Sequence, residues 1–101
     1  MGTTSSLLRI DGEFTIYRAA ELAAAMKAAL AAVADGGALD LDLSEVAEMD
    51  SAGVQLLLAA RRSAAESGRA LRLVARSAAV DDVLAMLQLT TQFGDVSAPA
   101  H

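Results

Sequence analysis

The sequence predicts an α/β domain: a small mixed β-sheet of about four to five strands, the central ones parallel, with helices packed on one face. Three observations carry this reading. Alanine-rich, helix-favouring runs alternate with short β-leaning ones along the chain. Each later strand is followed by a helix, the order that yields parallel pairing through right-handed crossovers. Finally, Leu39, Leu41 and Leu43 alternate with Asp40 and Asp42, the pattern of a strand that needs cover on one side only.

Taken in order, Leu7 to Ile10 and Glu13 to Ile16 are short β-leaning runs around Asp11-Gly12, a turn signal that predicts an N-terminal hairpin or bent strand pair. From Arg18 to about Ala34 the chain favours helix, with Leu22, Met26, Leu30 and Val33 near helical spacing. Asp35-Gly36-Gly37 ends that helix. The strand Ala38 to Leu43 follows, then a short turn, then a helix from Ala52 to Ser67. That helix is apolar over most of its circumference from Val54 to Ala60, which predicts packing on both sides. Leu71 to Ala75 gives the last strand. Asp81-Asp82 begin a helix running to about Leu87, striped by Val80, Val83, Leu84 and Leu87. The expected order is ββαβαβα.

The 101 residues fit one domain, with a core from about Leu7 to Phe93 and a frayed tail over residues 94–101. Alanine supplies much of the apolar content, with two Phe, one Tyr and no Trp, so helices must pack closely through small side chains. The net charge of −5 argues against sequence-independent nucleic-acid binding and against attraction to an anionic membrane. No apolar run approaches the roughly 20 residues of a spanning helix. The first residues lack the charged and apolar regions of a signal peptide, so the expected location is cytoplasmic.

Chemistry-bearing groups are few. Cysteine is absent and the single histidine is the terminal His101, so neither a nucleophilic dyad nor a zinc site is expected. Asp40 and Asp42 share a strand face without the further oxygen donors a cation needs. Gly36-Gly37 belongs to no phosphate-binding loop pattern. Arg18, Arg61, Arg62 and Arg69 are expected on solvated faces and near helix ends, and Met49 in the core. No metal, cofactor or catalytic residue is expected.

The exception is Asp50-Ser51-Ala52-Gly53, a small hydroxyl residue at a helix mouth, where unpaired N–H groups and the helix dipole favour an anion. Asp50 or Ser51 can serve as a plain cap. From the spacing alone the cap is the simpler reading; Ser51 can also accept a phosphate, adding about −1.5 to −2 charges. Ala52 and Gly53 are small, which leaves the hydroxyl open to another protein.

At this motif the chain resembles the STAS domain family, typified by bacterial anti-sigma factor antagonists (anti-anti-sigma factors). Leu41-Asp42-Leu43-Ser44 and Asp50-Ser51-Ala52-Gly53 stand where that family has its strand and its D-S-x-G. Gly12-Glu13-Phe14-Thr15 with Ala20-Glu21-Leu22 resembles the G-E-L-D element and following helix, and Gly68 to Leu73 with Val83 to Leu89 resembles the later strand and helix. The resemblance implies a STAS-type fold and a non-enzymatic, partner-switching role in transcription regulation. Ser51 would be phosphorylated by a cognate anti-sigma factor serine kinase, and the unphosphorylated form would bind it. Thr15, Asp50, Ser51, Ala52, Gly53 and Gln55 would form the docking surface. Thr15 stands where the family has an aspartate, implying a less negative setting for Ser51. Two other roles of the family are an accessory subunit of a lipid-transporting ABC ATPase and a chemotaxis-associated signalling protein.

Overall fold

The computed structural model describes residues 5–89 and Phe93. Its elements are β1 (Ser5–Phe14), a 3-10 turn (Ile16–Arg18), α1 (Ala19–Ala31), β2 (Ala38–Met49), α2 (Ser51–Glu66), β3 (Ala70–Arg76) and α3 (Ala78–Met86). The three strands form one sheet in the order β1-β2-β3, with both pairings parallel. Both crossovers step the same way across the sheet, so their right-handed sense places α1 and α2 on one face.

That face holds the core. Leu39, Leu41, Leu43, Leu57, Leu73, Val80 and Leu84 are wholly buried and join Phe14, Leu22 and Phe93 in one cluster. The opposite face of the sheet is open. Arg9 pairs with Asp42 at 3.3 Å and Arg72 with Asp40 at 2.7 Å, beside the exposed Leu7 and Val74. The alternation of leucine and aspartate in β2 thus separates a covered face from a charged one, as expected.

The hairpin does not form. Asp11-Gly12 lies inside β1, which runs on as one strand beside β2 with register shifts at Arg9/Asp11 and Gly12/Glu13. Gly12 has φ of +77°, a left-handed conformation that glycine adopts inside a continuing strand as readily as in a hairpin turn, and the extra residues at both register shifts lie on β2. Arg18 Nη1 donates to the carbonyls of Asp11 and Glu13 at 2.6 and 2.9 Å, clamping this stretch of β1. One long strand therefore replaces two, and the sheet has three strands, all parallel, among the described residues.

The turn expected after Leu43 is also strand, since β2 continues to Met49 beside the second half of β1. Asp42 Oδ1 accepts from both Ser44 N and Ser44 Oγ, at 2.9 and 2.6 Å, where the strand bulges. The extra residues of a bulge break period-two alternation, which hides this half of β2 from a pattern reading.

The helices differ in smaller ways. α1 ends at Ala31, and Val33 packs into the core beyond it. α2 buries Gly53, Val54, Leu57 and Ala64 but exposes Gln55, Ala59 and Arg62. It is covered on its base and flanks rather than on both sides. Arg61 does not stand wholly in solvent, because its guanidinium lies over the Phe93 ring, 5.8 Å from the centroid. The proposed tail over residues 94–101, and with it His101, falls outside the described residues.

Candidate functional site

The mouth of α2 is built by Asp50 and Gly53. Asp50 is the N-cap, with extended backbone, and its Oδ1 accepts from Gly53 N at 2.9 Å. Its other oxygen accepts from Ile16 N at 3.1 Å. One carboxylate therefore satisfies an orphan donor of the helix and pins the turn that follows β1. The bond from Gly53, followed by that from Ile16, holds the Asp50 carboxyl below its ordinary pKa.

Gly53 is required by packing. A Cβ there would overlap the Phe14 carbonyl oxygen and stand 2.8 Å from Phe14 Cδ1. Its small size lets α2 press on the end of β1, and it is buried. The expectation that Gly53 clears a path for another protein is thus replaced by an internal role.

Ser51 has no such role. It is the first residue of α2, it is exposed, and its hydroxyl forms no hydrogen bond with the described residues. Asp50 supplies the cap, so of the two cap candidates in the sequence the aspartate is the one used. Ala52 is half-buried beside it, and Gln55 is exposed one turn further along α2. The Ser51 Oγ stands at the positive end of a 16-residue helix.

Thr15 is 7% exposed and caps the 3-10 turn through its backbone, with Oγ1 3.5 Å from Glu13 Oε1. It borders a groove of about 570 Å³ running from the end of β1 past the end of β2 to α3. The acids of this groove are Glu13, Glu48, Asp50 and Asp82, and Tyr17, Met49 and Val83 give it an apolar part. With the neutral Thr15 in its lining the surface is still negative, against the expectation of a less negative setting. Of the residues expected at the docking surface, Thr15 and Asp50 line this groove and Ser51 does not, while Tyr17, Glu48, Asp82 and Val83 line it without having been expected there. Met49, expected only in the core, is half-buried and also faces this groove.

The remaining candidates are structural. Arg18 pairs with Glu21 at 2.9 Å, and Arg69 bonds the Val33 carbonyl at 2.6 Å and pairs with Asp35. Asp40 and Asp42 are committed to arginines on neighbouring strands. Among the described residues no group of three or more His, Asp or Glu is placed to hold a metal ion, and no helix is long and apolar enough to cross a membrane. A second groove of about 270 Å³ lies between α1 and α2, away from Ser51, where alanines leave space beside Met26 and Leu56.

Comparison with known proteins agrees with this architecture. The family model described as Mlab, STAS domain, matches residues 2–95. The solved anti-sigma factor antagonist SpoIIAA, in its unphosphorylated form, is 26% identical with a TM-score of 0.65, over 88% of this chain and 77% of that one. A sulfate transporter family protein from Wolinella succinogenes is 21% identical with a TM-score of 0.67, over 91% and 73% of the two chains. The STAS domain of a SulP transporter from Vibrio cholerae is 19% identical with a TM-score of 0.66, over 94% and 72%. No curated protein matches significantly. A family match over nearly the whole chain, on a fold shared with all three structures, is decisive: the chain belongs to the STAS domain family.

Proposed function

We propose that this chain is a non-enzymatic regulatory domain that docks on a protein partner through the Ser51 loop and α2, and that phosphorylation of Ser51 weakens the docking. One observation supports this reading above the others. At a helix mouth where Asp50 already caps and Gly53 already packs, Ser51 alone is exposed with an uncommitted hydroxyl. A residue free of structural duty can be modified without disturbing the fold.

The partner in this reading is a serine kinase of the anti-sigma type, in line with the likeness to SpoIIAA, and the setting is the cytoplasm. Such a kinase brings the terminal phosphate of its nucleotide to the Ser51 Oγ. The hydroxyl attacks that phosphorus, the bond to the bridging oxygen breaks, the diphosphate leaves, and the hydroxyl proton passes to a base of the kinase. The new phosphoserine then opposes the nucleotide phosphates, and like charge together with desolvation drives the partners apart. Each 1.4 kcal/mol lost is about tenfold in affinity. Affinity of the kinase for wild type, Ser51→Ala and Ser51→Asp tests this. Tight binding by the first two with loss of at least about tenfold for Ser51→Asp is expected. Equal affinity of all three removes the switch.

A second reading, a constitutive accessory subunit of a transport ATPase, draws on one observation. Thr15, neutral and buried, stands where the signalling members have an acid. In that case the same face binds its partner regardless of phosphate.

A further inference from the structure

We infer that recognition at this site extends beyond the Ser51 motif to α3, and that the groove between the 3-10 turn and α3 receives a basic amphipathic segment of the partner protein. The inference rests on the docking reading above for the place of the interface, and not on phosphorylation.

The first support is the second face of α3. Val80 and Leu84 are wholly buried and fasten the helix to the core. Ala79, Asp82 and Val83 instead line the groove, and Met86 falls on the same stripe by helical spacing. Met86 is 72% exposed, and Tyr17, across the groove on the 3-10 turn, is 89% exposed. Tyr17, Met49 and Val83 give the groove itself an apolar lining, and Met86 extends it along α3. Such side chains serve as anchors in protein interfaces.

The second support is charge. Glu13 and Glu48 are register partners on adjacent parallel strands, and both face the groove. Like charges side by side on a sheet reduce stability. Asp50 and Asp82 stand on the same rim, and none of the lining residues is basic. Arg18, at the end of the 3-10 turn, is held by Glu21 and by two backbone carbonyls, and Arg76 is held by Asp81. The open sheet face behaves in the opposite way, since Asp40 and Asp42 there each have an arginine. An occupant bearing arginine or lysine beside an apolar anchor would neutralise the rim and cover the apolar centre. In this arrangement the groove supplies affinity and Ser51 supplies control.

The test uses the full chain and two synthetic helical peptides, one with leucines on one face flanked by arginines, the other with every arginine replaced by glutamate. Amide-resolved NMR should show the arginine peptide shifting Tyr17, Glu48, Asp82, Val83 and Met86, with binding that weakens as salt rises. The double variant Glu48→Lys/Asp82→Lys should lose about tenfold or more in affinity. Independently of any ligand, Glu48→Gln should raise Tm by about 1–5 °C by relieving Glu13. Binding of neither peptide, equal binding of both, shifts on α1 or the open sheet face, or an unchanged affinity in the double variant would each overturn the inference. So would a Glu48→Gln Tm at or below wild type. Groove shifts that appear on concentrating the protein alone would assign the groove to a second copy and also overturn it. None of these outcomes bears on Ser51 as a switch, which the kinase titration addresses separately.

Discussion

Two serines stand at helix mouths in this fold, and they are used differently. Ser77 is the N-cap of α3, and its Oγ accepts from Val80 N at 3.2 Å. Next to it the largely buried Arg76 holds Asp81 as an ion pair, Nε to Oδ1 at 2.7 Å. Ser51 sits one position further into its helix, because Asp50 takes the capping role. The comparison teaches that a helix mouth can keep a hydroxyl for structure or release it for chemistry. An acid placed immediately before the serine is what releases it.

The sharpest way to break this contrast is through the glycine that seats α2. Gly53→Ala should cost about 3 kcal/mol, the overlap with Phe14 far outweighing the gain in helix propensity, and lower Tm by roughly 10–20 °C. A thermal melt of the variant measures it. Ser77→Ala comes next. Losing a working cap should cost about 1 kcal/mol, or roughly 4–8 °C in Tm, read by the same melt. Ser51→Ala, by contrast, should leave stability within about 0.5 kcal/mol of wild type. Ser51→Asp should gain about 0.3–1 kcal/mol from the helix dipole, so that any loss of partner binding in that variant cannot be ascribed to unfolding.

The smallest effect concerns pH. Asp42 is held below its ordinary pKa chiefly by the Ser44 hydroxyl and then the Ser44 N–H, and Asp50 by the N–H groups of Gly53 and Ile16. A carboxyl with a depressed folded pKa binds fewer protons when folded, so stability rises with pH across that window. Both contributions are present at neutral pH and fade as pH falls from the ordinary carboxylate range through the depressed values. Asp50→Asn should flatten the acid side of the stability profile, measured by urea unfolding across that range, without steepening the neutral side.

Much of the fold was legible in the sequence. The leucine–aspartate alternation of β2, the glycine stops and the alanine-rich α1 each gave the right element, and the order of β2, α2, β3 and α3 followed from them. What escaped was local and non-local in equal measure. Asp11-Gly12 signals positive φ but not whether a hairpin turn or a continuing strand will use it, and that choice was made by pairing with β2 and by the Arg18 clamp. The bulges in β2 removed the alternation that would have revealed residues 44–49 as strand. At the site, Asp50 and Ser51 were visible as a motif because they are adjacent in sequence. The groove was not, because Tyr17, Glu48 and Asp82 meet only through the parallel register and the packing of α3. The burial of Gly53 was equally hidden, since it depends on where Phe14 ends β1.

Ser51, and not Ser77, is the serine we propose as the regulatory one. Intact mass of the protein purified from its native host, followed by mapping of the modified peptide, tests this most directly. A species carrying one phosphate located on Ser51, with Ser77 unmodified, is expected. A protein unmodified at Ser51 under every growth condition, or a phosphate found on Ser77 instead, would contradict it.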